Sequence, residues 1–566
     1  MSDPDENIAL TLTQRALSDP SLIAVLEPAS RHRNPLKRRY REICFGELEK
    51  SSNQLANGLV LAGIKPGTRA VLMVKPSFDF FCLTFACFKS GIIPVFIDPG
   101  MGVKGLGKCI QESRATAFIG IPKAHFARRL FGWGRSSLSM FVTIHTGKDR
   151  LTAWTSKAKK SYQYQDLPAN LPDSIQLKPE VAAVLFTSGS TGPAKGVQYT
   201  HRIFNAQIAS LKDLFGIQPG EVDLCTFPLF ALFAPALGMT SIIPRMDFTR
   251  PGQVDPAEIF LPVKRFQVTN LFGSPALLRR LRDSLNPPHQ PLASLNRVVS
   301  AGAPVPADVI NGIKQLMNEK AEVFTPYGAT ESLPVACIGS NQILGETAEM
   351  TARGRGVCVG YPVQGMTVKI IGVSNEPIPE WQESLTLPVG TTGEIVVSGD
   401  QVTQHYDSRP DADAVSKILD QTQSPSRYRH RMGDLGYFDD QGRLWFCGRK
   451  AHRVWTPHGA LDTITTEAIF NQHPFVFRTA LVGIGPRGQQ KPVVCVELYQ
   501  KGNRFKTRQK SWAQIEEELR NIARSHPELN QIEIFLQHPG FPVDIRHNSK
   551  IFREKLAVWA EGRASS

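Results

Sequence analysis

The hydrophobic positions in the first 180 residues alternate between two patterns. Residues 45–61 and 78–90 repeat apolar side chains as helices do, whereas the short apolar runs 70–74 and 92–97 are typical of buried strands. Strands that alternate with helices favour a largely parallel sheet flanked by helices. The pattern therefore predicts an α/β fold.

The same alternation continues after residue 200. Thr200 is placed to cap a helix that would carry Phe204, Ile208 and Leu211 along one face. Further strand patterns cover 268–272, 297–300 and 322–325, and further helix patterns cover 274–285 and 307–317. Several of these strands end in turns of Gly, Ser and Pro. Because ligands collect at the carboxyl ends of strands in open α/β sheets, we expect a binding site there.

A second organisation begins in the C-terminal part of the chain. Residues 360–446 are β-rich, and beyond them strand patterns return with a helix whose start is marked by a Ser511 and Gln514 capping box. We therefore expect a large N-terminal domain, residues 1–448, with a β-rich subdomain. A small, mobile α/β domain should follow at residues 449–566.

The charge balance is basic, with 65 Lys and Arg against 51 Asp and Glu, for a formal net charge of +14. Nucleic acid, anionic lipid, an acidic partner or solubility could each account for it. No nucleic-acid recognition motif accompanies the basic clusters at 31–41 and 504–510. We expect solvated surface charge in both, no nucleic-acid partner, and no loss of function on neutralising Lys37, Arg38 and Arg39.

The cellular compartment is indicated by the cysteines and the N-terminus. The nine cysteines form no Cys-x-x-Cys pair, and the first residues lack a signal peptide, so we expect free thiols and a cytoplasmic protein. The uncharged run 224–244 is long enough for a membrane span, but Pro228 and Pro235 interrupt it. It is interpreted as core or pocket wall, with at most peripheral membrane contact.

An apolar run at 181–184 leads directly into a loop rich in glycine and hydroxyl groups. Glycines let the backbone approach an anion closely, and backbone N–H groups, hydroxyls and one ammonium group can surround phosphate oxygens. The residues that would do so are Thr187, Ser188, Gly189, Ser190, Thr191, Gly192 and Lys195. The loop is not a Walker loop, because Ala194-Lys195-Gly196 stands where Gly-Lys-Ser/Thr is required. The Walker-like spacing at 102–109 is discounted because it ends in Cys109.

The form Thr-Ser-Gly-Ser-Thr-Gly-x-x-Lys-Gly closely resembles the phosphate loop of adenylate-forming enzymes, which include acyl-CoA synthetases, luciferases and peptide-synthetase adenylation domains. Segments 301–304, 327–331, 433–434 and 548–551 resemble further motifs of that family, in the family's order. The resemblance is nearly end to end. It implies an ATP- and Mg²⁺-dependent ligase that joins a carboxylate to AMP.

The resemblance also implies a role for each matched nucleotide-binding position. Adenine would be held by the turn and the stacking tyrosine, and ribose and phosphate by the acid and the arginine. These residues are Gly302, Ala303, Pro304, Tyr327, Gly328, Asp434 and Arg449. Thr330 would contact the α-phosphate, Thr187 and Glu331 would hold Mg²⁺, and Lys550 would reach the reacting carboxylate. Thr330, Glu331 and Lys550 are the implied catalytic residues.

Two positions depart from the pattern of CoA ligases. Ala231 stands where many of them have a histidine, and Ala451 stands at the hinge position that usually holds Asp or Lys. Both departures argue against transfer of the acyl group to CoA.

Segments 226–238, 246–251 and 541–559 look like the β-lactone synthetases of bacterial long-chain olefin biosynthesis. That resemblance implies a long-chain 2-alkyl-3-hydroxy acid as substrate, whose own hydroxyl captures the acyl-adenylate to give a β-lactone. Companion enzymes of the olefin pathway are the implied protein partners. The alkyl chains would lie against Phe227, Phe230, Phe233 and Phe272, although each ring could equally be packed core.

Two alternatives remain open at this point. A fatty-acyl-CoA or fatty acyl-AMP ligase would share every adenylation motif and differ in its product. A nucleic-acid-binding or scaffold protein would use the basic surface and release no pyrophosphate from ATP.

Overall fold

The computed structural model of the protein describes residues 4–29, 37–147, 150–154, 159–176, 180–186, 194–284, 292–499, 510–543 and 551–564. The predicted phosphate-loop residues 187–192 and the predicted catalytic Lys550 lie outside the described residues. Their roles therefore stay predictions.

The first sheet is parallel except at one edge. Its strands are β1 (Ile23–Pro28), β2 (Tyr40–Cys44), β11 (Val222–Leu224), β12 (Thr240–Ile242), β13 (Asn270–Phe272), β14 (Arg297–Val299) and β15 (Glu322–Phe324). They lie in the order β15-β14-β13-β11-β12-β1-β2, with β2 antiparallel to β1.

The second sheet has eight strands and a parallel centre. Its strands are β3 (Arg69–Met73), β4 (Ile93–Phe96), β5 (Ala117–Gly120), β6 (Met140–His145), β7 (Arg150–Trp154), β8 (Lys159–Gln163), β9 (Ala183–Phe186) and β10 (Gly196–Tyr199). The order is β10-β9-β4-β3-β5-β6-β7-β8, and pairing is antiparallel only at the two ends.

The predicted β-rich region forms a third, antiparallel sheet. Its strands are β16 (Tyr327–Ala329), β17 (Ser332–Cys337), β18 (Val357–Pro362), β19 (Thr367–Ile371), β20 (Gly393–Ser398), β21 (Lys417–Asp420), β22 (Arg427–Phe438) and β23 (Leu444–Arg449). The order is β16-β17-β18-β23-β22-β20-β19, and β21 pairs with β22.

Helices cover the sheets of this large unit. They are α1 (Leu10–Ser18), α2 (Phe45–Leu61), α3 (Phe78–Lys89), α4 (Gly102–Glu112), α5 (Pro122–Phe131), α6 (His201–Phe215), α7 (Pro228–Ala231), α8 (Phe233–Ala236), α9 (Ala257–Phe266), α10 (Pro275–Asp283), α11 (Ala307–Lys314), α12 (Ser340–Gln342), α13 (Ala348–Ala352) and α14 (Pro410–Ser416). The predicted cap at Thr200 is confirmed, because its side chain accepts a hydrogen bond from the backbone N–H of Ile203 at 3.3 Å.

The C-terminal residues form their own α/β unit. It contains a hairpin, β24 (Val454–Thr456) and β25 (Gly459–Leu461), and a sheet of β26 (Val476–Ile484), β27 (Lys491–Leu498) and β28 (Ile534–Gln537). Its helices are α15 (Thr463–Phe470), α16 (Trp512–Arg524) and α17 (Arg553–Ala564). Phe470, Leu519 and Phe535 are buried in a core of its own. The predicted capping box of Ser511 and Gln514 opens α16. That this unit moves as a separate lid stays a prediction.

The predicted α/β fold is confirmed. The broken apolar run 224–244 contains the short helices α7 and α8 and strand β12. Among the described residues, no helix is both long and apolar enough to cross a membrane.

The prediction that residues 31–41 carry only solvated surface charge is wrong for Arg38. Its side chain is fully buried, and its guanidinium group makes a two-pronged ion pair with the Glu258 carboxylate. Breaking one partner of a buried pair leaves a charge without its counter-ion, so neutralising Arg38 would destabilise the fold. A run of charged residues in a sequence does not show which of its side chains point inward.

Candidate active site

A cavity of about 1810 Å³ lies where the strands of the two parallel-centred sheets end. Met73, Phe96, Thr226 and Phe272 lie at or just beyond the carboxyl ends of β3, β4, β11 and β13, and all four line it. The cavity therefore occupies the position predicted for a ligand site in open α/β sheets.

Thr330 and Glu331 form the tip of a tight β-hairpin. Ala329 pairs with Ser332 across β16 and β17, which leaves only these two residues in the turn. Both line the cavity. Gly328 is required behind them, since a Cβ at that position would lie 2.6 Å from the Ser332 carbonyl oxygen. The hairpin thus presents a hydroxyl and a carboxylate side by side to a ligand.

Glu331 is oriented by Tyr406. The Tyr406 hydroxyl donates a hydrogen bond to Glu331 Oε1 at 2.7 Å, and the Lys195 ammonium lies 4.8 Å from the centre of the Tyr406 ring. Burial, together with the nearby Glu331 carboxylate, raises the pKa of Tyr406 well above its ordinary value, so its hydroxyl keeps its proton. Lys195, at the end of the predicted phosphate loop, is therefore on the same wall as the predicted metal ligand.

Asp434, Arg449 and Tyr327 form a connected polar group. Asp434 on β22 and Arg449 on β23 are direct cross-strand partners, and Arg449 Nε lies 3.1 Å from Asp434 Oδ1. The Tyr327 hydroxyl donates to Asp434 Oδ2 at 2.7 Å. The carboxylate of Asp434 raises the pKa of Arg449. Three residues predicted from separate motifs are thus brought together by strand register.

The predicted adenine turn is only partly at the cavity. Gly302 lines it with a φ of +93°, a conformation that glycine adopts without a steric penalty. Ala303 and Pro304 follow it in the chain but are not among the described residues that line the cavity.

The four phenylalanines predicted to hold alkyl chains all line the cavity. The Phe272 ring stacks on Phe230 at 4.5 Å and on Phe227 at 5.5 Å between ring centres, and Phe233 meets Phe230 edge-on at 6.1 Å. Neighbouring Ala231 is buried in α7. This end of the cavity offers aromatic surface to a ligand.

A second apolar wall was not predicted. Phe80, Phe85 and Phe88 of α3 line the cavity, and Phe204 of α6 packs against Phe88 at 5.6 Å. The signal was present in the sequence, because α3 carries apolar residues on every face and none of its side chains is exposed. Such a helix is ordinarily interpreted as core, and here part of its surface faces the cavity.

His430 and Lys417 were also missed. His430 lines the cavity and is buried, and its Nδ1 has no hydrogen-bond partner among the described residues. Burial, with the Lys417 and Lys195 ammonium groups, lowers the pKa of His430 well below its ordinary value, so the imidazole is neutral. Burial lowers the pKa of Lys417 to about 8, and the Glu331 carboxylate offsets part of that effect. Neither residue belongs to a spaced motif that sequence reasoning could detect.

Comparison with known proteins gives a family. A model of the AMP-binding enzyme family matches residues 14–407. A protein of Xanthomonas campestris named olefin beta-lactone synthetase is 47% identical over 555 residues, which cover 98% of this chain and 97% of the relative. A protein of the same name from Stenotrophomonas maltophilia is 45% identical over 556 residues, 98% of each chain.

Solved structures show the same fold at lower identity. An amide bond synthetase from Marinactinospora thermotolerans superimposes with a TM-score of 0.75 at 20% identity, covering 97% of this chain and 99% of that one. The O-succinylbenzoate coenzyme A synthetase of Bacillus subtilis, in complex with ATP and a magnesium ion, superimposes with a TM-score of 0.71 at 18% identity, covering 96% of this chain and 98% of that one.

The family match and the two relatives identify the chain. It belongs to the AMP-binding enzymes and is an adenylate-forming, ligase-type enzyme. Within that family it groups with the proteins named olefin beta-lactone synthetase.

Proposed function

We propose that the protein activates a long-chain 2-alkyl-3-hydroxy acid with ATP and closes it to a β-lactone, releasing AMP and pyrophosphate. The proposal rests on sequence identity of 45–47%, over 98% of the chain, to two proteins named olefin beta-lactone synthetase. The cavity is consistent with this reaction. Its polar wall, which includes Tyr327, Glu331 and Arg449, and its aromatic wall, which includes Phe227, Phe230 and Phe272, line the same space.

The polar wall suits a nucleotide. Asp434 is not among the described residues that line the cavity, but it is buried against Arg449 and Tyr327, which do line it. Its carboxylate would accept hydrogen bonds from the ribose hydroxyls. Gly302 and Tyr327 both line the cavity, and they would flank adenine. These roles rest on the family motifs and on the geometry of this wall.

The residues present fit a magnesium ion that is bound mainly through a ligand's phosphates. The described residues contain no cluster of three or more His, Cys, Asp or Glu that could hold a metal by itself. Mg²⁺ is commonly held by one or two carboxylates plus phosphate oxygens, and Glu331 offers one carboxylate to the cavity. With Thr187 it would hold the ion, which screens the charge of the phosphates when bound.

The first step joins two anions. A carboxylate oxygen of the acid bonds to the α-phosphorus of ATP, the bond to the β-phosphate oxygen breaks, and pyrophosphate leaves. Lys195 and Thr330 on the cavity wall, with Lys550, would neutralise and position the charges that develop.

The second step is intramolecular. The 3-hydroxyl oxygen bonds to the acyl carbon, the acyl–phosphate bond breaks, and AMP leaves as the hydroxyl proton is released. Good alignment can supply about 7–11 kcal/mol in such reactions, offset in part by strain in the four-membered ring. The alanines at 231 and 451 agree with a reaction that needs no thiol.

The test is a product analysis with ATP, Mg²⁺ and a racemic 2-alkyl-3-hydroxy acid. We expect AMP and a product one water lighter than the acid, formed equally well with and without CoA. A matched 2-alkyl acid without the hydroxyl should give no released product. A CoA requirement with a thioester product would instead establish an acyl-CoA ligase.

A further inference from the structure

Helix α5 exposes large apolar side chains to solvent. Phe126 is 70% exposed, Leu130 is 62% exposed and Phe131 is 48% exposed, and Val103 at the start of α4 is 43% exposed. These four are a third of the twelve large hydrophobic residues exposed in the described part of the chain, and three of them lie within six residues. Clustered exposure of this kind marks an interaction surface more often than scattered exposure does.

The four side chains belong to one continuous surface. The Trp133 indole N–H donates to the Val103 carbonyl oxygen at 3.1 Å, which ties the start of α4 to the end of α5. The Phe131 ring packs against Trp133 at 5.6 Å between centres. We call this surface, formed by Val103, Phe126, Leu130 and Phe131 with the cations around them, the α4–α5 patch.

Its charge is mainly positive, with Glu112 at the end of α4 as the acid on these two helices. Residues 99–111 and 121–135 contain six basic residues and no Asp or Glu. Five of the basic residues are exposed, and none of the five makes an ion pair with another described residue: Lys104, Lys108, Lys123, Arg129 and Arg135. The sixth, Arg128, is half-buried, and its guanidinium group lies over the Phe141 ring at 4.1 Å from the ring centre.

The cations and apolar groups share one helix face. Lys123, Phe126 and Leu130 are spaced at i, i+3 and i+7, and Arg129 flanks them. Phenylalanine and leucine interleaved with lysine and arginine are typical of helices that lie in the headgroup region of a membrane. This interleaving favours an anionic lipid surface over a protein partner.

Other residues of the same two helices line the cavity. Leu106 of α4, Ala124 and Ala127 of α5, and Trp133 all contact it. The exposed patch therefore lies on helices that also border the cavity. An acid with two long alkyl groups partitions into a bilayer, so an enzyme that takes it up benefits from resting on that bilayer.

We infer that the α4–α5 patch docks the enzyme on an anionic lipid bilayer, from which its long-chain acid enters the cavity. This inference rests on the proposed function for the identity of the acid, but docking itself does not. Phe126, Leu130 and Phe131 enter the headgroup region, and the five exposed cations face anionic lipid.

The test is co-sedimentation of the full-length protein with vesicles of phosphatidylglycerol and phosphatidylcholine in equal parts, compared with phosphatidylcholine alone. We expect binding to the anionic vesicles that weakens at high salt. Replacing both Phe126 and Leu130 by Ser should reduce it roughly tenfold, and reversing Lys123 and Arg129 to Glu should do the same. The matched controls are Leu17→Ser with Val558→Ser, which are also exposed, and Lys159→Glu with Lys160→Glu.

Lactone formation from a short-chain, water-soluble 3-hydroxy acid separates docking from catalysis. We expect the rate of lactone formation to be unchanged in all four double variants. An unchanged rate would also show that each variant is folded. No binding of the wild type to anionic vesicles, or equal losses in the patch and control variants, would overturn docking. Vesicle binding without lactone formation would overturn the proposed function and leave docking in place.

Discussion

The two ends of the cavity are held together in different ways. At the end proposed to bind the nucleotide, Tyr327 and Arg449 are joined to the buried Asp434 by contacts of 2.7 and 3.1 Å, and Tyr406 fixes Glu331 at 2.7 Å. At the end proposed to bind the alkyl chains, phenylalanine rings stack on one another, and Ala231 stands where the resemblance to CoA ligases implies a histidine. The first end therefore depends on individual hydrogen-bonding atoms, whereas the second depends on the volume and shape of its aromatic side chains.

This difference separates activation from substrate choice. A hydrogen-bonded network loses function when one atom is changed, because the remaining buried partners are left unsatisfied. An apolar surface tolerates change more gradually, since burial scales with area. Substitutions at the two ends should therefore affect different kinetic constants.

The largest effect is expected for Lys550→Ala, which removes the lysine proposed to reach the reacting carboxylate. Loss of one cation that stabilises developing charge typically costs about 10²–10³-fold in rate. ATP binding should be nearly unchanged. Acid-dependent pyrophosphate exchange is the assay, and Lys555→Ala, an exposed lysine on α17, is the control. Activity within a few-fold of wild type would remove Lys550 from the reaction.

Asp434→Asn should raise the KM for ATP by roughly 10–100-fold, which corresponds to the loss of charged hydrogen bonds of about 1.5–3 kcal/mol. The KM for the acid should change little. Asp440→Asn, a neighbouring exposed residue, is the control. If the acid KM rose while the ATP KM stayed constant, Asp434 would not belong to the nucleotide end.

Phe230→Ala should act at the acyl end alone. Removing part of the stacked aromatic surface should raise the KM for a long-chain acid by roughly tenfold, with little change for a short-chain acid or for ATP. Steady-state kinetics over a series of chain lengths would show it. The same change at every chain length would mean that the ring is only packed core.

The smallest effect is on stability, at a buried acid on β11, the strand that leads to the acyl end. Burial raises the pKa of Asp223 to about 7, although a hydrogen bond from Asn270 acts against this shift. The folded state then holds a proton that the unfolded state has lost, so the free energy of unfolding falls as pH rises from about 4 to 7.

Asp223→Asn removes this dependence. Its Tm should exceed that of wild type by several degrees at pH 8, and the gap should shrink toward pH 4. Thermal melts across this pH range are the measurement, with the exposed Asp213→Asn as the control. A gap that does not depend on pH would show that Asp223 does not hold its proton.

Secondary structure was predicted most accurately where the pattern of apolar residues was long and uninterrupted. Helix α2 runs over Phe45–Leu61 as predicted, because periodic apolar positions and clear flanking segments agree. Asp434 and Arg449 were found through motifs, but their contact follows from the register of β22 and β23, which no local pattern shows.

The rest of the site depends on long-range folding. Tyr406 reaches Glu331 across 75 positions of sequence, and His430 is a lone histidine without a partner at metal or catalytic spacing. The periodicity predicts α3 as a helix, but apolar residues on every face give no sign of which side borders a cavity. These residues are recognisable only once the strands have brought them together.

In the proposed reaction, the acid's carboxylate is activated first, and its own 3-hydroxyl then attacks the acyl carbon. Isotope labelling tests this most directly. With ¹⁸O in the 3-hydroxyl, mass analysis should find the label in the lactone and none in AMP. With ¹⁸O in both carboxyl oxygens, one label should pass to AMP and one should remain in the lactone. Label passing from the 3-hydroxyl to AMP would show that the hydroxyl was the activated group, and would rule out the proposed reaction.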